Sequence, residues 1–186
     1  MIGLLLAAGA GRRMGRAKAL VTDDAGRSFV ERAVAVLRDG GCDPVVAVVG
    51  AEVEQVRPLA SGADRVVEAD DWAVGQSASL RAGLDGVADL DGYAVCLLLV
   101  DLPDVGADVV RRVREAAGDG PAVLARAAYD GVPGHPVVIG RDHVADLLGT
   151  LAGDSGAKGY LAAHDVLLVE CGDLATGRDV DRPQDL

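Results

Sequence analysis

The sequence predicts an α/β protein with a mostly parallel sheet that is covered by helices on both faces. Short apolar runs alternate along the chain with longer amphipathic segments, and this order is typical of repeated β-then-α units. Most apolar runs are continuous rather than alternating, which indicates strands buried on both faces. Half of the residues are apolar but only 3% are aromatic, so we expect a core of Val, Leu and Ala.

Five strands and five helices follow from these patterns. The strands are predicted over residues 2–8, 45–49, 95–100, 137–139 and 166–169. The helices are predicted over residues 28–39, 77–84, 107–117 and 142–151, and another begins at Ser155 or Gly156. Ser28 and Glu31 have the spacing of a capping box. We find no linker or internal repeat, so we expect one domain over residues 1–186.

Charge and composition exclude several classes of function. A formal net charge of -11 argues against a nucleic acid or an anionic membrane as the main partner. The three cysteines are far apart and the three histidines lack metal-ligand spacing, so we expect reduced thiols and no zinc site. The apolar opening MIGLLLAAGA precedes the charged residues, unlike a signal peptide. No stretch approaches the roughly 18 apolar residues of a membrane span. We therefore expect a cytoplasmic protein.

The loop after the first strand, LAAGAGRRMGRAK at residues 6–18, carries three glycines and four basic residues. Glycines let backbone N–H groups approach a phosphate, and Arg and Lys supply the countercharge. Ligands of such sheets bind beyond the carboxyl ends of the strands, where this loop begins. No Gly-Lys-Ser/Thr triplet ends a P-loop, and Met14 stands where a dinucleotide fingerprint needs glycine. The loop therefore predicts a site for a nucleotide polyphosphate.

Asp101 is the strongest single candidate for a metal ligand. It follows the buried run 95–100 and precedes Pro103, which ends the element. A carboxylate at the tip of a central strand suits a Mg²⁺ ion that bridges phosphates. The alternative is a helix N-cap for the following segment, although Asp104 is better placed for that role.

The 6–18 loop resembles the signature loop of nucleotidyltransferases, and more narrowly that of the molybdenum-cofactor cytidylyltransferases, whose relatives include the molybdopterin guanylyltransferases. Five further segments resemble that family in order and spacing: GQSASLRAG (75–83), LLLVDLPDV (97–105), GVPGHPVVIGR (131–141), GDSGAKGYL (153–161) and DVDRP (179–183). The resemblance covers most of the chain. It implies a three-layer α/β/α, Rossmann-like nucleotidyltransferase fold with a mostly parallel mixed sheet.

The resemblance also implies a reaction, in which the terminal phosphate of Mo-molybdopterin attacks the α-phosphate of CTP and releases pyrophosphate with Mg²⁺ as cofactor. Arg13, Lys18 and Asp101 would be catalytic, and Asp181 would share the metal with Asp101, with Asp179 as its alternative. The residues implied to bind the nucleotide are Leu6, Ala7, Ala8, Gly9, Ala10, Gly11, Arg13, Lys18, Gly75 and Ser79. Those implied to bind the acceptor are Ser77, Arg81, His135, Asp154 and Lys158.

The choice of nucleotide base and the identity of the acceptor depend on single positions in these motifs. Guanylyl relatives usually carry two glycines where this chain has Ala8-Gly9, and a methyl group there would narrow the base pocket in favour of CTP. Family members more often have Met at the position of Gln76. A molybdoenzyme or its maturation chaperone is implied as protein partner. Three alternatives stay open: GTP or another phosphorylated acceptor, a non-catalytic molybdopterin carrier, and a nicotinamide-dependent oxidoreductase, which the fingerprint mismatch disfavours.

Overall fold

A seven-stranded mixed sheet forms the middle layer of the protein. The computed structural model describes residues 1–185. Its strands are β1 (Ile2–Leu6), β2 (Val45–Val49), β3 (Arg65–Glu68), β4 (Ala94–Leu99), β5 (Leu124–Tyr129), β6 (Val132–Gly140) and β7 (Leu167–Glu170), in the order β3-β2-β1-β4-β6-β5-β7. Strand β6 is antiparallel to both of its neighbours, and every other pair is parallel. The predicted mostly parallel mixed sheet is confirmed.

Helices cover both faces of this sheet. They are α1 (Phe29–Asp39), α2 (Val53–Leu59), α3 (Gln76–Gly86), α4 (Ala107–Ala117), α5 (Arg141–Thr150) and α6 (Lys158–Ala162). Buried residues of α1, α2 and α4 pack in one core cluster, and those of α3, α5 and α6 pack in the other. In β1, Leu5 joins the first cluster, whereas Leu4 and Leu6 join the second. This alternation of side chains produces the three layers.

The sequence did not predict three elements, β3, β5 and α2, because their patterns are weak, and two others have different bounds from those expected. Strand β3 reads Arg-Val-Val-Glu at the sheet edge, and β5 is rich in Ala, which has low strand propensity. Helix α2 is only seven residues long and contains Pro58. Strand β6 extends well before the predicted 137–139, and the helix expected at Ser155 or Gly156 begins at Lys158. Within residues 1–185, none of the helices has the length and hydropathy needed to span a bilayer.

The capping prediction for α1 is confirmed in detail. The hydroxyl of Ser28 accepts a hydrogen bond from the Glu31 amide, and the Glu31 carboxylate accepts one from the Ser28 amide. This reciprocal pair satisfies two amides that the helix itself leaves unpaired. Helix α1 thereby starts directly after the glycine loop and the turn that follows it.

Candidate active site

The glycine loop leaves the carboxyl end of β1 and turns back on itself. The Gly11 carbonyl accepts hydrogen bonds from the amides of Met14 and Gly15, at 2.8 and 2.9 Å. Gly11 has a φ of 56°, and a Cβ atom there would lie 2.0 Å from the Arg16 carbonyl oxygen. Only glycine fits this position. The loop forms one wall of a cleft of about 370 Å³ that Ala8, Gly9, Ala10, Gly11, Arg12 and Lys18 line.

The opposite wall of this cleft comes from the segment that enters α3. It includes Trp72, Gly75, Gln76 and Ser79. Gly75 has a φ of 139°, and a Cβ atom there would lie 2.3 Å from Oδ1 of Asp154. Because glycine occupies this position, the 153–154 loop packs directly against the start of α3. The Ser77 amide reinforces that contact by donating to the Gly153 carbonyl at 3.1 Å.

Three carboxylates converge beside the cleft. Asp101 follows β4, and Asp179 and Asp181 come from the C-terminal segment; one carboxylate oxygen of each lies within 4.8 Å of the others. The backbone brings them together, because the Val180 amide donates to the Asp101 carbonyl at 2.9 Å. Among the described residues, Asp101 Oδ1 is the one buried side-chain oxygen or nitrogen without a hydrogen-bond partner.

Lys18 connects the glycine loop with these carboxylates. Its Nζ donates to Asp101 Oδ2 at 2.7 Å and to Asp181 Oδ1 at 2.6 Å. Burial by itself would lower the pKa of Lys18, but the hydrogen bonds and negative charges of the two aspartates raise it above its usual value. The hydrogen bond from Lys18 in turn lowers the pKa of Asp181, against a small opposing effect of burial. Both groups are therefore charged at neutral pH.

The donor set fits a divalent cation. Mg²⁺ and Mn²⁺ prefer carboxylate oxygens, and the site offers three carboxylates, one of them with a buried oxygen that no protein group satisfies. Asp101 is held by a strand end and Asp181 by two cations, since Arg13 also donates to Asp181 Oδ2 at 2.5 Å. Asp101, Asp181 and Asp179 are the residues that would hold the ion.

A second, larger cavity of about 1010 Å³ opens on the other side of Asp101. Its walls are mainly apolar, and it shares Leu6, Gln76, Leu99, Asp101 and Asp154 with the first cleft. His135, in the first half of β6, lines it, and its backbone carbonyl accepts a hydrogen bond from the Tyr129 hydroxyl at 2.6 Å. Burial and the nearby Arg126 lower the pKa of His135 to about 4, so its imidazole is neutral at pH 7.

The structure brings together most of the candidate residues from the sequence. Those that line the first cleft are Leu6, Ala8, Gly9, Ala10, Gly11, Lys18, Gly75, Ser79 and Asp101. His135 and Lys158 line the second cavity, and Asp154 lines both. Ala7 instead packs in the core on the α1 side of the sheet. Arg13 lies outside the cleft, with 69% of its side chain exposed, and contacts the site through Asp181.

Ser77 and Arg81 do not lie with the other candidate acceptor residues. Both line a separate cavity next to Asp70 and Asp85, and Arg81 donates to the Leu148 carbonyl at 2.8 Å. The spacing of α3 explains this placement, because residues four apart share one helix face. Gln76, Ser79 and Leu80 lie on the face that is turned towards the two site cavities.

Sequence reasoning did not single out three residues that line these cavities. Arg12 and Trp72 line the first cleft, and Arg126 lines the second. Arg12 was indistinguishable from Arg16, whose guanidinium instead donates to the Leu20 carbonyl. Trp72 is the only tryptophan, a signal that could have indicated a ligand wall.

Comparison with known proteins identifies the family. A family model described as the MobA-like NTP transferase domain matches residues 3–167. The chain belongs to this family. Its fold is that of a nucleotidyltransferase from Methanothermobacter thermautotroptrophicus, with a TM-score of 0.82, 24% identity and coverage of 99% of this chain and 93% of that one. The expected nucleotidyltransferase fold and family are thus confirmed.

Two relatives bear on the chemistry of the site. The protein Rv0371C of Mycobacterium tuberculosis, solved as a complex with manganese, is 27% identical with a TM-score of 0.73, covering 96% of this chain and 92% of that one. The nicotine blue oxidoreductase of Paenarthrobacter nicotinovorans is 34% identical over 189 residues, which cover 96% of this chain and 91% of that protein. The manganese complex is consistent with a divalent metal in this fold.

Proposed function

We propose that this protein is a Mg²⁺-dependent cytidylyltransferase that transfers CMP from CTP to the terminal phosphate of Mo-molybdopterin and releases pyrophosphate. The observation that carries the proposal is the position of Asp101, Asp179, Asp181 and Lys18 where the two cavities meet. The first cleft, with the glycine loop as one wall, is called the glycine-walled cleft below. A nucleotide in this cleft and an acceptor in the larger cavity would present their phosphates to each other at that point.

The glycine-walled cleft accounts for the nucleotide. Backbone amides of residues 8–11, with the side chains of Arg12 and Lys18, would bind the triphosphate. Ala8, Trp72 and Ser79 would surround the base. A Cβ atom on Gly50 would lie 2.8 Å from Trp72 Cβ and 2.9 Å from Ala8 Cβ, so both side chains pack closely against the Gly50 backbone. The methyl group of Ala8 leaves less room for a purine, which supports CTP over GTP.

The residues at the junction supply positioning and charge. Mg²⁺ held by Asp101 and Asp181 would neutralise the charge that develops on the phosphate oxygens. Lys18, charged at neutral pH, would place its ammonium beside the same oxygens. The acceptor phosphate is already ionised at neutral pH, so the proposed reaction needs no general base. Neutral His135 would orient the acceptor by hydrogen bonding.

A second candidate function is an oxidoreductase, and the 34% identity with nicotine blue oxidoreductase favours it. In that case the glycine-walled cleft would bind a nicotinamide dinucleotide. Two features weigh against it: Met14 interrupts the dinucleotide fingerprint, and hydride transfer has no use for three clustered carboxylates.

Pyrophosphate release is the direct test of the first candidate. The protein is incubated with Mg²⁺ and each of CTP, GTP, ATP and UTP, with and without Mo-molybdopterin. We expect release only with CTP and the pterin together. No release with any nucleotide, but tight binding of the pterin, would favour a carrier instead.

Fluorescence of Trp72 tests the second candidate with the same protein. This single tryptophan lines the glycine-walled cleft, so a ligand in the cleft should change its emission. We expect CTP with Mg²⁺ to change the emission and NADH or NADPH to leave it unchanged. Saturable quenching by a nicotinamide dinucleotide, together with its oxidation when a quinone-type acceptor is added, would favour the oxidoreductase.

A further inference from the structure

Arg126 is a charged residue at an inward-facing position of the sheet. It lies in β5, whose residues Ala125 and Ala127 pack in the core on the α1 side and whose Leu124 packs on the α3 side. Arg126 therefore points to the α3 side, where it lines the larger cavity. Its cross-strand partners are Val137 and Leu168, which are apolar and line the same cavity.

The guanidinium of Arg126 has no acidic partner within residues 1–185. Its one hydrogen bond to the protein runs from Nε to the Gly134 carbonyl, at 3.0 Å, which leaves both terminal nitrogens unused. Several arginines on the surface are paired with carboxylates instead, such as Arg57 with Glu68 and Arg65 with Asp89. Burial lowers the pKa of Arg126, but an arginine so placed stays charged. A half-buried cation without a counterion is unfavourable unless a ligand supplies one.

The other charged groups of the larger cavity do not compensate Arg126. Asp101, Asp154 and Asp179 line the cavity, yet none of them forms an ion pair with this guanidinium. Lys158 adds a second cation, and neutral His135 adds no charge. Within residues 1–185, the positive charge of Arg126 is therefore not neutralised by an ion pair, in a protein whose net charge is -11.

The strand register gives the separation between Arg126 and the reaction centre. Arg126 is paired with Val137, and Val137 is paired with Leu97 of β4, four residues before Asp101. Two strand spacings of about 4.8 Å and four residues of about 3.3 Å place the Cα atoms of Arg126 and Asp101 about 16 Å apart.

We propose that Arg126 binds an anionic group of the acceptor at the end remote from the phosphate that reacts at Asp101. This inference rests on the proposed function and narrows its acceptor to a molecule that carries negative charge at two separate positions. The two free terminal nitrogens of the guanidinium match an anion with two acceptor atoms, such as an oxyanion or a pair of thiolates. Arg126 is thus a specificity-determining residue for the acceptor and not for the nucleotide.

Calorimetric titration with Mo-molybdopterin tests this role without turnover. The wild type is compared with Arg126→Met, which keeps an unbranched apolar stem but removes the guanidinium, and with Arg57→Met, which removes an exposed arginine remote from the site. We expect the Kd for the pterin to rise about 10- to 100-fold in Arg126→Met alone, with the Kd for CTP and Mg²⁺ unchanged. Equal pterin affinity in wild type and Arg126→Met would overturn the inference while leaving the proposed function intact.

An anionic fluorophore separates the two possible failures. Anilinonaphthalene sulfonate combines an apolar body with a sulfonate, the features that the cavity and Arg126 should recognise together. We expect Arg126→Met to weaken its binding about tenfold or more and Arg57→Met to leave it unchanged. If wild type binds the fluorophore in this way but not the pterin, Arg126 recognises anions and the proposed acceptor is wrong. If Arg126→Met binds the fluorophore as tightly as wild type does, the inference fails.

A second variant guards against misfolding. Arg126→Lys keeps the charge but loses the planar fork, so we expect affinities between those of wild type and Arg126→Met. Should Arg126→Met melt well below the wild type, labelling of the wild type with phenylglyoxal replaces it. Peptide mapping should then show Arg126 protected by the fluorophore or the pterin and not by CTP. Unprotected labelling of Arg126 at saturating ligand would refute its contact with the anion.

Discussion

Replacing Asp101 by Asn removes one charge from the junction of the two cavities and changes almost no volume. Asp101 Oδ1 is buried without a partner, and Oδ2 accepts a hydrogen bond from Lys18. We expect the variant to fold, because Lys18 keeps its contact with Asp181 and repulsion between neighbouring carboxylates decreases. Turnover should fall about 10²- to 10³-fold or more, which corresponds to the roughly 3–4 kcal/mol lost with one preorganised electrostatic contact.

Thermal melting with Mn²⁺ checks the same substitution without the substrates. An ion present at about 100 times its Kd stabilises the folded state by about 2.7 kcal/mol. For a chain of this size that energy raises Tm by about 5–10 °C. We expect Mn²⁺ to raise the Tm of the wild type and of Asp24→Asn, an exposed control, but not that of Asp101→Asn. An equal rise in Asp101→Asn, or wild-type turnover with Mg²⁺, would refute Asp101 as a metal ligand.

Four further predictions follow from local contacts. Ala8→Gly should relax selectivity from CTP towards GTP, and an unchanged ratio of kcat/KM would remove the basis for the choice of base. Gly75→Ala should cost about 1–3 kcal/mol in unfolding free energy and weaken CTP binding, because the new Cβ meets Asp154; urea titration and Trp72 fluorescence measure the two effects. Ser28→Ala should lower the unfolding free energy by about 1 kcal/mol. Hydrogen bonds from Ser28 lower the pKa of Glu31 in the folded state. Above about pH 4.3, Glu31→Gln should therefore be less stable than the wild type, and this difference should vanish as the pH falls through the folded pKa of Glu31. A difference in Tm that stays constant with pH would contradict this prediction.

The elements that the sequence predicted well are those whose residues must be buried on both sides. Strands β1, β2 and β4 consist of continuous apolar runs, and burial leaves such runs few alternatives. Asp101 could be singled out as a candidate metal ligand because a polar residue at the end of such a strand lies at the sheet edge where ligands bind. The capping box of α1 could also be predicted, since its two partners lie three residues apart in the sequence.

The features that the sequence did not reveal depend on distant contacts. Strand β5 has little strand propensity of its own and is held by β6 and β7 on its two sides. The role proposed for Arg126 could be inferred only after the strand register had placed this residue opposite Val137. Arg12 and Arg13 are neighbours in sequence, yet one lines the cleft and the other pairs with Asp181, which no spacing rule distinguishes.

The arrangement of charge at the junction explains why an acidic protein carries such a basic loop. Three carboxylates suit a divalent cation, but the same carboxylates would repel a triphosphate that approaches them. Lys18 lies between two of them and Arg13 pairs with Asp181, so the cations of the loop reduce that repulsion where the phosphates must bind. The glycines of the loop allow these cations to reach the carboxylates from the end of the neighbouring strand. The proposed metal site and the proposed phosphate site would therefore form one unit, in which Lys18 of the loop after β1 contacts Asp101 after β4.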